Sequence, residues 1–325
     1  MEKKLLFVFN PKSGKGLIKS KLLNIINIFV RNGYQVMVHP TQYAQDAYHV
    51  VKRVAPQMDL VVCSGGDGTL AEVVTGLLEC KEKVPMGYIP SGSTNDFASS
   101  LDIPKNMEKA AQEIMEGKCY SCDVGRFNRE TFVYIAAFGL FTDVSYQTDQ
   151  ALKNVLGHMA YLLEGVKRIF DIKSYHMKIE ANGMQKEDNY IFGMVTNSRS
   201  VGGFKNLTGK NVEMDDGLFE VTLIREPKNP LELNEIMGAL LTAVDDTDMI
   251  YSFKSDCVVI ESDEPIPWTL DGEFGGEHSE ICIENKKRAL HILLNPKKHK
   301  DMPLELPEGN IDRPSATVRK DEENE

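Results

Sequence analysis

Residues 59–78, DLVVCSGGDGTLAEVVTGLL, constrain the fold of this chain most, because they spell out one complete strand, turn and helix. The run Asp59-Leu60-Val61-Val62-Cys63, ending in Ser64, Gly65 and Gly66, suits an interior parallel strand that opens into a loop. Leu70, Val73, Val74, Leu77 and Leu78 then fall at i, i+3, i+4, i+7 and i+8, one face of a helix. Gly65, Gly66 and Gly68 let backbone N–H groups converge without side chains in the way, and the helix start adds free amides and a positive dipole end. Such a place suits phosphate. Asp67 would repel phosphate unless a divalent cation lay between them, so the stretch points to a nucleotide with Mg²⁺, and Thr69 fits the same reading. A glycine-rich turn can also be a tight connection with no ligand, so the other loops must decide.

The same unit recurs on both sides. Leu5 to Phe9 form an apolar strand running into Asn10-Pro11-Lys12-Ser13-Gly14-Lys15-Gly16, and Ile18, Leu22, Ile25, Ile26 and Phe29 give a helix closed by Asn32-Gly33. A strand over 34–38 leads to Thr41 and a helix over about 45–55. After GGDGT, a strand over 84–89 ends in PSGSTNDF (90–97), and Met107, Ala110, Ala111 and Ile114 mark a further helix. Alternating strands and helices imply a parallel sheet covered on both faces, with ligands beyond the carboxyl ends of the strands. NPKSGKG, Thr41, GGDGT and SGSTND each follow a strand, so all four gather at one edge. The lysine-containing first loop lacks the G-x-x-x-x-G-K-[ST] spacing, and the chemistry of that motif is not imported.

The pattern changes after about residue 125. Residues 132–138 are apolar, a helical stripe runs over 151–170, and strands follow near 175–181, 190–196, 218–224, 257–262, 281–284 and 289–294. This predicts a second, antiparallel sandwich or barrel domain. We expect a first domain over 1–125 with a return segment near 288–300, a second over 126–287, and a mobile tail over 301–325. Two acidic features stand out in the second part. In an extended segment, Asp271 and Glu273 would face the same way, two carboxylates beside Gly272. In Glu213-Met214-Asp215-Asp216-Gly217-Leu218, carboxylate and carbonyl oxygens in a tight turn could hold a hard cation. Either feature can also be a solvated turn.

Charge narrows the function. With 37 Lys+Arg against 48 Asp+Glu, the net charge of −11 argues against nonspecific nucleic-acid binding and broad adhesion to an anionic membrane. No run of apolar residues is long enough to span a bilayer, and Met1-Glu2-Lys3-Lys4 leads into a strand instead of a signal peptide, so a cytoplasmic protein is expected. Six cysteines in so long a chain do not suggest a disulfide scaffold, and the single CxxC (Cys119, Cys122) has no second pair at zinc spacing.

These motifs together resemble the soluble bacterial lipid kinases that share the diacylglycerol-kinase catalytic domain, a family related to sphingosine and ceramide kinases. NPKSG, Thr41 in HPTQYAQDA, GGDGTLAEVV, PSGSTNDFA, DVG, DDG and LDGE occur in the family's order from Leu5 to about Pro296. GGDG alone is shared with NAD kinases and phosphofructokinases, but a kinase of NAD type leaves NPKSG and LDGE unexplained. Ala71 and Thr75 stand where the family usually has asparagines, and Ser93 where it has threonine. The resemblance implies an α/β ATP-binding domain (three-layer, mainly parallel sheet), a C-terminal antiparallel β-sandwich, and an active site in the cleft between them.

By motif matching, Asn10, Pro11, Lys12, Ser13, Gly14, Thr41, Gly65, Gly66, Asp67, Gly68, Thr69, Glu72 and Ser93 should contact ATP. Asp67, Asp96 and Asp123 match the family's acidic network around the catalytic Mg²⁺. Glu273, supported by Asp271, matches the proton acceptor, although in sphingosine kinases the GGDG aspartate is also a candidate. Asp216, with the carbonyls of Glu213 and Leu218, matches a second, structural Mg²⁺ site. The implied reaction is ATP- and Mg²⁺-dependent phosphorylation of a lipid hydroxyl, foremost diacylglycerol to phosphatidic acid. A sphingoid or another acylglycerol acceptor, or a catalytically silent nucleotide-sensing module, are the alternatives. The expected partner is a lipid at the inner face of a membrane, with peripheral attachment. Lys153, His158, Lys167 and Arg168 on the 151–170 helix are the expected contact, and homodimerisation stays open.

Overall fold

The computed structural model describes residues 2–139, 173–199, 212–242 and 247–299. The expected helix over 151–170, with its membrane-contact residues, and the tail from 301 lie outside the described residues. The first part alternates as its periodicity dictates: β1 (Lys3–Phe9), α1 (Ile18–Arg31), β2 (Tyr34–Pro40), α2 (Asp46–Val54), β3 (Leu60–Gly65), α3 (Asp67–Leu78), β4 (Met86–Pro90), α4 (Asp96–Ser100) and α5 (Met107–Glu116). Strands β4, β3, β1 and β2 pair in parallel in that order.

Side-chain parity builds the layers. Leu6 and Val8 of β1 and Val61 and Cys63 of β3 face α2 and α3, whereas Leu5, Phe7, Phe9, Leu60 and Val62 face α1 and α5. The helices answer with their apolar stripes: Leu70, Val73, Val74 and Leu77 from α3, and Ile18, Ile25 and Phe29 from α1. Each such side chain contributes about 1.5–3 kcal/mol on burial, enough to hold a helix that would be marginal alone. Local signals set the ends. Asn106 Oδ1 accepts from Lys109 N at 2.9 Å to cap α5, and Gly33 closes α1 at φ 82°.

The second part contains β5 (Lys118–Phe127), β6 (Glu130–Phe132), β7 (Ile135–Gly139), β8 (Tyr175–Ala181), β9 (Met184–Thr196), β10 (Phe219–Arg225), α6 (Pro230–Thr242), β11 (Ile250–Ser255), β12 (Cys257–Leu270) and β13 (Glu273–Leu294). Its strands pair antiparallel around a core in which Trp268 packs against Phe127 and Phe138 at ring-centroid distances of 5.0 and 4.9 Å. The 22 residues of β13 join the two parts: its first half pairs with β12, and near its end Ile292 lies parallel to Met86 of β4. The apolar layer under α2 and α3 continues without a break into Val133, Tyr134, Ile135, Ala137 and Met194. That shared layer fixes the two parts against each other and shapes the cleft between them.

One sequence reading is corrected. Asp271 and Gly272 are not an extended segment but the two central residues of the β12–β13 hairpin, at φ 51° and 86°, with Leu270 paired to Glu273. Asp-Gly accepts positive φ at both positions, as this turn requires. Asp271 and Glu273 therefore diverge.

Candidate active site

The loops after β1, β2, β3 and β4 meet at one edge, as parallel strands require. Asn10 N donates to Ser64 O, Thr41 N to Phe9 O and Ser91 N to Gly65 O, each at 2.9 Å, so each loop leaves its strand tied to a neighbour. A Cβ on Gly92 would stand 2.5 Å from the α-carbon of Gly66, so these two loops touch backbone to backbone. Asn10 Nδ2 reaches Thr69 Oγ1 at 3.4 Å, linking the first loop to the third.

Helix α3 begins at Asp67, earlier than its apolar stripe, so Asp67, Gly68 and Thr69 form its first turn. Their amides have no intrahelical acceptor and carry the positive end of the dipole. The Asp67 carboxylate leans toward the β4 loop: Oδ2 accepts from Thr94 Oγ1 at 3.2 Å and from Asn95 N at 3.1 Å. Its Oδ1 is buried without a hydrogen-bond partner. Burial, reinforced by the nearby Asp96 carboxylate, pushes the Asp67 carboxyl up to about 6. The orphaned, buried carboxylate oxygen fits a bound cation such as Mg²⁺, and the helix N-terminus beside it fits the phosphate that the cation would neutralise.

The opposite wall comes from the β12–β13 hairpin. The cleft, about 970 Å³, is lined by Asn10, Lys12, Ser13, Thr41, Asp67, Gly68, Ser93, Tyr134 and Glu273, among others. The exposed Glu273 carboxylate lies beside Gly68. Asp271 is turned the other way. Its oxygens accept from Val133 N, Tyr134 N and Ile135 N at 2.7, 2.9 and 3.1 Å, and its own N–H donates to Ile135 O at 2.9 Å. Burial raises its carboxyl to about 7 against the pull of these amides. Asp271 thus clamps the hairpin to the start of β7 and positions Glu273. Glu72 is likewise spent on structure, accepting from Gln45 N and Ala47 N at 2.8 and 3.1 Å to hold the start of α2.

Tyr134 is the residue that sequence reasoning passed over. It lies buried on the cleft floor, where burial, with Asp67, Asp271 and Asp96 around it, keeps its phenol protonated well above the ordinary range. In the run Phe132-Val133-Tyr134-Ile135 it reads as core, and only a hydroxyl within an apolar run hints otherwise.

Other expected site residues lie elsewhere. Asp123 does not line the cleft. Its Oδ2 accepts from Gly217 N at 2.6 Å and Asn285 Nδ2 at 3.3 Å, and its Oδ1 from Arg288 N at 2.7 Å. Arg288 sits at φ 51° where the β13 register against β5 shifts, so Asp123 anchors the DDG turn and the bend that carries β13 between the two parts. Glu213, Asp216 and Leu218 belong to that turn and not to the cleft; Leu218 N donates to Asp216 Oδ1 at 2.8 Å. Asp216 Oδ2 lies 3.1 Å from Lys254 Nζ, so an ammonium stands beside the carboxylate expected to hold the second Mg²⁺. Cys119 and Cys122 are three apart on β5, on opposite faces, and form no disulfide.

The diacylglycerol kinase catalytic domain matches residues 4–127, and the YegS C-terminal NAD kinase β-sandwich-like domain matches residues 135–293. The chain is 32% identical to a diacylglycerol kinase of Bacillus subtilis (strain 168) over 300 residues, 91% of this chain and 98% of that one. It is 32% identical to a diacylglycerol kinase of Staphylococcus carnosus over 280 residues, 85% of this chain and 90% of the other. A crystal structure of a candidate diacylglycerol kinase from Bacillus anthracis superposes with a TM-score of 0.76 at 26% identity, covering 91% of this chain and 98% of that one.

Proposed function

The chain belongs to the diacylglycerol kinase family, and from that membership we propose that it transfers the γ-phosphoryl group of ATP to the hydroxyl of diacylglycerol, giving phosphatidic acid. The observation that carries the reading is the closure of two unlike elements on one cleft: the amide-rich first turn of α3 faces the exposed carboxylate of Glu273. Phosphoryl transfer asks for positioning and charge neutralisation more than for covalent help.

In this reading Asn10, Lys12, Ser13, Gly66, Gly68, Thr69 and Ser93 hold the phosphates, with Thr41 toward the nucleoside end. Asp67, beside Asp96, holds Mg²⁺, which would supply charge neutralisation at the transferred group. Glu273 accepts the proton of the lipid hydroxyl, and Asp271 keeps it in place. We assign acceptance to Glu273 over Asp67 because the Asp67 Oδ2 is engaged by Thr94 and Asn95, whereas Glu273 is exposed to the cleft. Residues 1–125, with the end of β13, would form the nucleotide domain and 126–287 the sandwich.

The acceptor is insoluble, so the work is done at a membrane surface. No helix among the described residues is long and apolar enough to cross one, and attachment is proposed to be peripheral, from the cytoplasm. Tyr43 and Phe274, 65% and 70% exposed, rim the same cleft and suit contact with lipid.

The test is transfer of labelled γ-phosphate into a panel of lipids in mixed micelles, beside Glu273→Ala and with EDTA. Label in phosphatidic acid, lost in both controls, is the expected result. Label in a sphingoid base or another acylglycerol would change the acceptor. ATP binding with no label in any lipid would overturn the enzyme reading in favour of a nucleotide sensor.

A further inference from the structure

We propose that Lys254 is the resident cation of the acidic turn at 213–220, and that this turn takes no divalent ion. The turn carries Asp215 and Asp216, and the buried Glu220 follows on β10. Lys254 lies on β11 directly across from Glu220 in the antiparallel register, so the sheet itself delivers the ammonium. Its Nζ stands 3.1 Å from Asp216 Oδ2 and 3.1 Å from Glu220 Oε1. Two further cations complete the balance. Arg288 Nη2 lies 3.1 Å from Asp215 Oδ2, and Lys287 Nζ donates to the Asp216 carbonyl at 3.0 Å. Asp123, beside the turn, is satisfied by two backbone amides and Asn285.

Asp215, Asp216 and Glu220 thus have three cations around them, with Glu213 exposed, and the oxygens of Asp216 are turned to N–H donors. Asp216 gives Oδ1 to Leu218 N, Oδ2 to Lys254 and its carbonyl to Lys287. A hard divalent ion wants six or more oxygens, and Mg²⁺ demands them at about 2.0–2.1 Å in near-octahedral geometry. To use Asp216 Oδ2 it would have to displace the ammonium, which would leave the buried Glu220 without its counter-charge. A lysine head is a compact charge with three donors, sufficient to bridge two carboxylates. The turn that ties β5, β10 and β13 together is therefore held by the chain's own cation.

Thermal melting of the full chain without nucleotide tests this, in the Asp67→Asn background so that the cleft carboxylate does not report. A filled structural site would raise the melting temperature by several degrees in Mg²⁺ over EDTA. The expected result is no shift. A Mg²⁺-dependent rise that disappears on adding Asp216→Asn would overturn the proposal. In Lys254→Met, melting in EDTA should fall by several degrees and be partly restored by Mg²⁺. If that variant melted like the wild type in EDTA, Lys254 would not be the counter-charge. If it did not fold, the Asp67→Asn melts decide alone.

Discussion

The Glu273 carboxylate reaches over the bare α-carbon of Gly68: a methyl built on that glycine would stand 3.4 Å from Oε1. The acid belongs to a hairpin of the second domain and the glycine to the first turn of α3, so this gap is where the two halves of the cleft close. Gly68→Ala is sterically tolerable and favours the helix by ~0.5–1 kcal/mol. The variant should melt no lower than the wild type, yet lose turnover on the order of 10²-fold, because the methyl fills the space between amides and carboxylate. Steady-state kinetics beside a melting curve checks this; a normal kcat would place the reaction elsewhere.

Asp67 makes the empty site unstable at neutral pH. Its carboxyl, raised from 3.8 to about 6 by burial and by Asp96, ionises less readily in the folded protein than in the unfolded chain. Its contribution to stability is therefore fully present below about pH 4 and is lost as pH rises through about 6. Without nucleotide or divalent ion, Asp67→Asn should melt above the wild type at pH 8, with the gap closing below pH 4, while losing activity. Equal melting temperatures across that range would contradict the assignment.

Asp271 and Glu273 should separate by kind of damage. Asp271→Ala strips the acceptor from three buried amides, at roughly 1–3 kcal/mol each. A fall in melting temperature of about 6 °C or more follows. Glu273→Ala, at an exposed position, should melt like the wild type and lose turnover by ~10²–10⁴-fold. A stable Asp271→Ala would mean that the hairpin is not held by this clamp.

Tyr134→Phe keeps the ring and its packing and removes only the hydroxyl, which lies in the field of Asp67, Asp271 and Asp96. If that hydroxyl donates to a charged group of the bound substrate, worth about 1.5–3 kcal/mol, kcat should fall about tenfold or more. The KM for ATP should stay near the wild-type value. Unchanged kcat with reduced stability would make Tyr134 a packing residue.

Much of the nucleotide side was legible in order along the chain. The parallel sheet follows from apolar strands alternating with amphipathic helices, and parity along β1 and β3 sorts their side chains between the two helix layers. That in turn brings NPKSG, GGDGT and SGSTND to one edge. Periodicity and glycine content are local properties, and the physics that reads them acts over a few residues. The Asp271-Gly272 turn was also written locally, as a hairpin dipeptide, and of the two readings left open, extended segment and turn, the structure takes the turn.

The fate of each carboxylate was not local. Asp67, Glu72, Asp123, Asp216, Asp271 and Glu273 are equivalent as letters, and what separates them is which donors reach them. Those donors come from distant segments: amides of 133–135 for Asp271, Gly217 and Arg288 for Asp123, and Lys254 for Asp216. The sequence by itself determined an α/β part followed by a strand-rich part, a glycine-rich loop edge, and through its motifs the kinase family. Only the tertiary structure decided which acids are free to act, because a carboxylate's charge is useful to a substrate only when the fold has not already spent it on its own N–H groups and ammonium ions.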